Sequence, residues 1–142
     1  MRIKEFQGEY RWLSNFWNGQ VIIEGLTFNN RESAYQAMKC EDESDRKQFC
    51  NLTGDQAKRL GRKVKIRSDW DEIKDDVMYK IVFNYFNNNE EEKEKLIATG
   101  DAELIEGNTW NDTYWGICNG IGKNKLGKTL MQVREELKNG TI

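Results

Sequence analysis

The 142-residue chain contains no histidine and no proline. Without an imidazole, Ser-His and Cys-His nucleophile systems and most transition-metal sites are excluded, and acid–base work falls to Asp, Glu, Lys or Tyr. Without proline, which averages about 5% of protein sequence, turns must rest on Gly, Asn and Asp. Cysteine is scarce and unpaired in pattern: Cys40, Cys50 and Cys118 are odd in number and show no C-x-x-C spacing. Neither a disulfide framework nor a metal site is expected, only reduced and partly buried thiols. No apolar run approaches the ~20 residues of a membrane span, and Met1-Arg2-Ile3-Lys4-Glu5 lacks a signal-peptide core. A soluble, cytoplasmic protein with no membrane partner is the expectation. A charge surplus is missing too, with 22 basic against 24 acidic residues. The chain therefore has no general attraction to nucleic acid or anionic surfaces, and any phosphate must be bound locally. The length fits one domain over 1–142, large enough to bury roughly two thirds of its unfolded surface around one core.

The most informative stretch is Asn29-Asn30-Arg31-Glu32-Ser33-Ala34-Tyr35-Gln36-Ala37-Met38-Lys39. On a helix, Glu32, Tyr35, Gln36 and Lys39 recur at i, i+3, i+4 and i+7 and share one face. An acid, a phenol, an amide and an amine are thereby aligned, with Ala34, Ala37 and Met38 opposite. Two readings are open: a pocket-facing stripe, or a solvated one with Asn29 as N-cap and Glu32 closing a capping box.

Ahead of this stretch, Tyr10-Arg11-Trp12-Leu13-Ser14-Asn15-Phe16-Trp17 crowds four aromatics around Ser and Asn without a helical or strand period. It is either a plug for a core edge or a stacking wall for a base or sugar. Val21 to Phe28 reads as a β-hairpin about a Glu24-Gly25 turn, delivering the chain into the Glu32 helix. From Ser44 to Lys65 two short helices are expected, the second capped by Thr53 and spaced by Ala57, Leu60 and Val64. Gly61-Arg62 ends it, where the arginine serves the helix dipole or a phosphate. Asp69 opens the most regular helix, with Trp70, Ile73, Val77, Ile81 and Tyr85 at threes and fours. Asn87-Asn88-Asn89 closes it, and a charged turn over Glu90 to Lys95 leads to a Thr99-Gly100 stop. Leu104-Ile105-Glu106 and Thr113 to Ile117 are short apolar runs consistent with paired strands.

A last helix is expected from about Asn124 to Leu137, with Leu126, Leu130, Val133 and Leu137 on one stripe and Asn124 as N-cap. The turn before it, Gly116-Ile117-Cys118-Asn119-Gly120-Ile121-Gly122-Lys123, is rich in glycine. Such a turn at a helix start exposes backbone N–H groups to an anion, so Gly122 and Asn124 are candidate phosphate holders. Gly122 to Thr129 also matches G-x-x-x-x-G-K-[ST]. Leu126 belongs to the apolar stripe, however, and only 13 residues follow Thr129, which excludes the P-loop sheet.

Taken together, Tyr10 to Phe16, Glu32 with Tyr35-Gln36 and Lys39, Gly61-Arg62, Asp69-Trp70, Met78, Thr99-Gly100, Leu104 to Asn108, Asp112 to Gly116 and Asn124 to Arg134 resemble the NADAR (YbiA-like) family in order and over nearly the whole chain. The resemblance implies an α+β fold, predominantly helical, a single compact domain with a small antiparallel β portion. It also implies N-glycosidase chemistry on ribose C1′–N bonds, either in ribose-phosphate intermediates of the riboflavin pathway or in ADP-ribosylated guanine. Where the family commonly has Glu-His, this chain has Glu32-Ser33.

Cleaving such a bond passes through an oxocarbenium-like state that a carboxylate stabilises. Glu32 and Asp112 are the candidate carboxylates. Lys39 is either a point charge for phosphate or, if desolvated, an amine nucleophile toward C1′. Arg11, Trp12, Ser14, Asn15, Phe16, Tyr35, Gln36, Trp70, Trp115, Gly116, Gly122 and Asn124 are the candidate substrate-binding residues. No cofactor and no obligatory protein partner is implied; the partner is a ribosyl or ADP-ribosyl substrate, small or carried on nucleic acid. The alternative is a non-catalytic module that binds ADP-ribose or NAD, which would not need Glu32, Lys39 and Asp112 together.

Overall fold

The structure, a computed structural model, describes residues 1–140. Its elements in chain order are β1 (Arg2–Ile3), a 3₁₀ helix (Gly8–Leu13), β2 (Asn18–Ile23), β3 (Leu26–Asn30), α1 (Arg31–Ala37), α2 (Glu43–Lys47), α3 (Gly54–Gly61), α4 (Trp70–Asn88), α5 (Glu90–Ala98), β4 (Glu103–Leu104), β5 (Gly107–Asn108), β6 (Ile117–Cys118) and α6 (Lys125–Lys138). The fold is thus α+β and predominantly helical, with a small β portion. Two compact units are formed, residues 15–85 and residues 1–14 with 86–142.

In the unit 15–85, β2 and β3 pair antiparallel, with Val21 opposite Phe28 and Ile23 opposite Leu26. Glu24 at φ 51° and Gly25 at φ 75° make the turn, and their positive angles match the twist of the two strands. Alternation buries Val21, Ile23 and Phe28 while Ile22 and Thr27 face out. The hairpin feeds directly into α1, as its sequence suggests. Thr53 caps α3 through a reciprocal box with Gln56, and α3 packs on α1. Asp69 accepts the first turn of α4, whose Trp70, Met78, Ile81, Val82 and Tyr85 are buried. Each such side chain contributes about 2 kcal/mol through burial.

In the other unit the aromatic segment with no clear period starts as the 3₁₀ helix, and Trp12 and Leu13 from it are buried. Trp12 meets Phe86 edge to face, centroids 6.3 Å apart. Thr99 caps α5 and Gly100 turns at φ 64°. The α6 stripe Leu126, Leu130, Val133 and Leu137 is buried as the spacing predicts. Buried Arg134 on α6 donates to Thr99 Oγ1 at 2.9 Å and the Ala102 carbonyl at 2.8 Å, which fixes the connection from α5 to β4.

Strand pairing departs from the sequence reading in one respect. The runs at 104–106 and 113–117 do not form one antiparallel pair: β4 runs parallel to β1, and β5 runs parallel to β6. Each ladder is two residues long, too short for periodicity to reveal; the antiparallel pairing among the described residues is the hairpin and an isolated Cys118–Ile121 bridge. The thiols of Cys40, Cys50 and Cys118 are free, two buried and one half-buried.

Candidate functional site

α1 is buried along its whole length, which removes the solvated-stripe reading. Its cap is Asn30 rather than Asn29. The Asn30 side chain accepts from Ser33 N at 2.8 Å and donates to the Leu52 carbonyl at 2.9 Å. Glu32 therefore stands second in the helix and closes no capping box; its backbone N–H donates instead to the Asn15 carbonyl at 3.0 Å. Ser33, where the family commonly has histidine, turns its hydroxyl to the Leu52 carbonyl at 3.0 Å. The position is used to tie α1 down.

With its own start satisfied by the backbone and Asn30, Glu32 is left as a buried carboxylate. Gln36 Nε2, one turn on, donates to Glu32 Oε2 at 2.7 Å. The opposite end of that amide, Oε1, has no hydrogen-bond partner and lies against Gly61. Asn15 is similarly buried; it donates to Met78 Sδ at 3.3 Å, and its Oδ1 has no partner. Two buried acceptors in one unit thus carry hydrogen-bonding capacity that the protein does not use, a condition that is uncommon away from functional sites.

α1 ends at Ala37, so Lys39 sits on the turn beyond it and not on the helix face. The residue is half-buried. Desolvation pushes its ammonium below the ordinary lysine range; the charge of Glu32 opposes this, whereas Arg62 and Lys58 add to it. Burial and two neighbouring cations thus make Lys39 easier to deprotonate, with one carboxylate pulling back.

The aromatic candidates behave differently from the stacking wall proposed for them. Tyr35 and Trp70 are both buried and pack on each other, with centroids 5.1 Å apart, so these two rings are core. Trp12 is core in its own unit. Phe16, 41% exposed, is the aromatic of the set that stays open. With Asn18, Asn29, Asn30, Asn51, Leu52, Thr53 and Gly54 it lines a cavity of about 250 Å³ at the start of α3. Neither Glu32 nor Lys39 lines that cavity. Arg11 is exposed and Ser14 half-buried.

The candidates between 108 and 124 form a closed hydrogen-bond network. Asp112 Oδ1 accepts from Trp115 N at 2.9 Å and Tyr114 N at 3.2 Å, while Asn108 bridges the Asp112 backbone from both sides. These bonds hold Asp112 in the loop through Oδ1. Trp115 is half-buried and meets Tyr114 edge-on at 5.0 Å. Asn124 is the α6 N-cap by position only, in the left-handed region at φ 52° and with no side-chain cap bond. Its side chain instead accepts from Glu106 N at 2.9 Å and donates to the Leu104 carbonyl at 2.9 Å. The N–H groups of Lys123, Asn124, Lys125 and Leu126 donate to the carbonyls of Thr113, Gly116, Tyr114 and Trp115. The basis for a phosphate site at Gly122 and Asn124 was exposed N–H groups, and these are occupied; Gly116 serves as one of their acceptors.

The sequence reading placed Gly61 at the end of the second short helix, as found, but gave it no part in the site. It also missed Arg31, a fully buried guanidinium 4.4 Å over the Tyr85 ring, which has no local signature. Among the described residues there is no cluster of metal-binding side chains, and no helix is long and apolar enough to cross a membrane.

Residues 32–39 thus bring a buried carboxylate held by an amide and an amine made easier to deprotonate onto one segment. The chain belongs to the NADAR family: the NADAR domain matches residues 3–138. It is 37% identical over 133 residues to the N-glycosidase YbiA of Shigella boydii, covering 91% of this chain and 82% of that one. An N-glycosidase of Nostoc punctiforme is 36% identical over 137 residues, covering 92% and 87%. A riboflavin biosynthesis protein of Vibrio vulnificus is 37% identical over 131 residues, covering 89% of this chain and 35% of that one. The fold matches the NMR structure of E. coli YbiA with a TM-score of 0.85 at 33% identity, over 99% of this chain and 85% of the other.

Proposed function

We propose that this chain is an N-glycosidase that hydrolyses the bond between ribose C1′ and a base nitrogen, with Glu32 and Lys39 as its reacting groups. The observation that carries the reading is the Glu32 carboxylate, buried and bonded to Gln36 at 2.7 Å, four residues into a segment that ends in the desolvated Lys39. An ionised carboxylate out of bulk water favours positive charge developing at C1′ far more than it would in water.

Lys39 in its neutral form attacks C1′. A bond from its Nζ to C1′ forms as the base departs with the electron pair of the old bond and a proton. Ring opening then moves a C1′–O4′ electron pair onto O4′, which takes a proton from Nζ, leaving an imine. Water adds across the C=N bond and releases the sugar aldehyde and the amine. Lys58 and Arg62, whose charges act on Lys39, are the cations that take the substrate's phosphate. The substrate class is a ribose-phosphate intermediate of the riboflavin pathway or an ADP-ribosylated base, and the name of the Vibrio vulnificus relative supports the former.

The test is to incubate purified protein with a riboflavin-pathway ribose-phosphate intermediate, with ADP-ribosylated guanosine and with NAD, and to measure released base. Release from one of them, with borohydride trapping a covalent adduct that Lys39→Ala abolishes, is the expected result. Binding of ADP-ribose without release from any of the three would make the chain a binding module instead.

A further inference from the structure

We infer that Gln36 is a positioning residue for the Glu32 carboxylate and that Gly61 is the seat that aims it. The inference rests on the reading of Glu32 as the reacting carboxylate and goes beyond it, because it assigns to Gln36 a task other than substrate contact and to Gly61 a task in the chemistry.

A glutamine on a helix has three free torsions and ordinarily directs its amide to water. Gln36 is 6% exposed, and its amide is held donor-first toward Glu32, Nε2 to Oε2 at 2.7 Å. Its acceptor end has no partner. The hydrogen bond to Glu32 fixes which end of the amide faces the carboxylate, since the flipped amide would set two acceptors against each other. Packing fixes where the amide lies. A Cβ placed on Gly61 would fall on the Gln36 amide, meeting Oε1 first and Cδ at 2.8 Å. Gly61 does not have a positive φ, so its backbone would accept alanine, and glycine in a helix is the poorer helix former. What the glycine supplies is room for the Gln36 side chain where α3 packs on α1. With Oε1 lodged there, the Nε2 donor can meet only the carboxylate, and rotation of Glu32 about its last torsion is stopped. A reacting group held to one orientation avoids the loss that a small misplacement brings.

The test compares kcat, KM and Tm on the riboflavin-pathway intermediate and on ADP-ribosylated guanosine for wild type, Glu32→Gln, Gln36→Leu, Gly61→Ala and their combinations. Gln36→Leu is expected to lower kcat roughly tenfold with KM unchanged. In the Glu32→Gln background the same change should leave the residual kcat where it was, although any effect on Tm persists; a merely structural glutamine would not show that coupling. Gly61→Ala should lower kcat in the wild-type background and cost nothing further in Gln36→Ala, where no amide remains to be displaced. If Gln36→Leu does not fold, Gln36→Asn carries the same comparison, because it keeps the amide and shortens its reach by one carbon.

An inactive Glu32→Gln beside a fully active Gln36→Leu overturns the positioning role and leaves the function standing, as do losses that simply multiply in the double variant. Wild-type turnover by Glu32→Gln, or no base released from either probe by the wild type, overturns the functional reading and the positioning role with it.

Discussion

The stretches 29–39 and 106–126 carry the same chemical vocabulary: acids, amides, aromatics and lysines, each beside the start of a helix. Read as sequence, both look like halves of a site. In the structure they differ in one property, the fraction of polar atoms already answered by the protein. In 106–126 Asn124 has both ends of its amide bonded, Asp112 takes two backbone N–H groups, and the N–H groups of Lys123, Asn124, Lys125 and Leu126 meet carbonyls. In 29–39 the Gln36 acceptor is unanswered, as is the Asn15 acceptor of the same unit, and Lys39 is half-buried with its ammonium disfavoured by desolvation. The polar groups of 106–126 are spent on holding the loop, whereas those of 29–39 are only partly spent.

Four measurements break or sharpen that contrast. The largest effect is expected from Glu32→Gln, which keeps size and hydrogen bonding and removes only charge: kcat should fall about 10²-fold or more while ADP-ribose binding is retained. Next is Asn124→Ala, which leaves Glu106 N–H and the Leu104 carbonyl unpaired; unfolding in denaturant should show a loss of about 2–4 kcal/mol with unchanged kcat per folded molecule. Third, Arg62→Ala removes a positive charge that disfavours the Lys39 ammonium. Its pKa should rise, so neutral amine forms only at higher pH, and the rising limb of the pH–rate profile should move upward. The smallest effect is expected from Asp112→Asn, whose Oδ1 still accepts both N–H groups; turnover should be unchanged and stability should fall by less than about 1 kcal/mol. A loss of rate there as large as that of Glu32→Gln would erase the distinction between the two stretches.

What was legible in the sequence was local. The Glu24-Gly25 turn between β-branched runs, the Thr53 cap, the threes and fours of α4 and the α6 stripe all report interactions within a few residues, and each is found where the sequence puts it. The cap of α1 was misplaced by one residue because Asn29 and Asn30 are adjacent and equivalent as sequence; the Leu52 carbonyl and Ser33 N choose between them. The burial of Tyr35 and Trp70 against each other was not legible for a related reason, since exposure depends on which partner a ring finds. The parallel pairs β1–β4, which joins segments about 100 residues apart, and β5–β6, which joins segments ten apart, are two residues each and leave no pattern. At α6 the glycines announce that N–H groups can be approached, and the atoms that approach those of Lys123 to Leu126 are the chain's own carbonyls.

The seven residues of α1 also set when the enzyme exists in time. A helix below about 12–15 residues has little stability of its own in water, and the first N–H groups of this one are held by the Asn15 carbonyl and the Asn30 side chain. The carboxylate is therefore oriented only once the hairpin has closed and residue 15 has arrived, and a partly folded chain holds no fraction of the site. Amide exchange at Glu32 and Ser33 should accordingly proceed at the rate of the slowest amides in the unit 15–85, and activity in rising denaturant should vanish along the same curve as the fold.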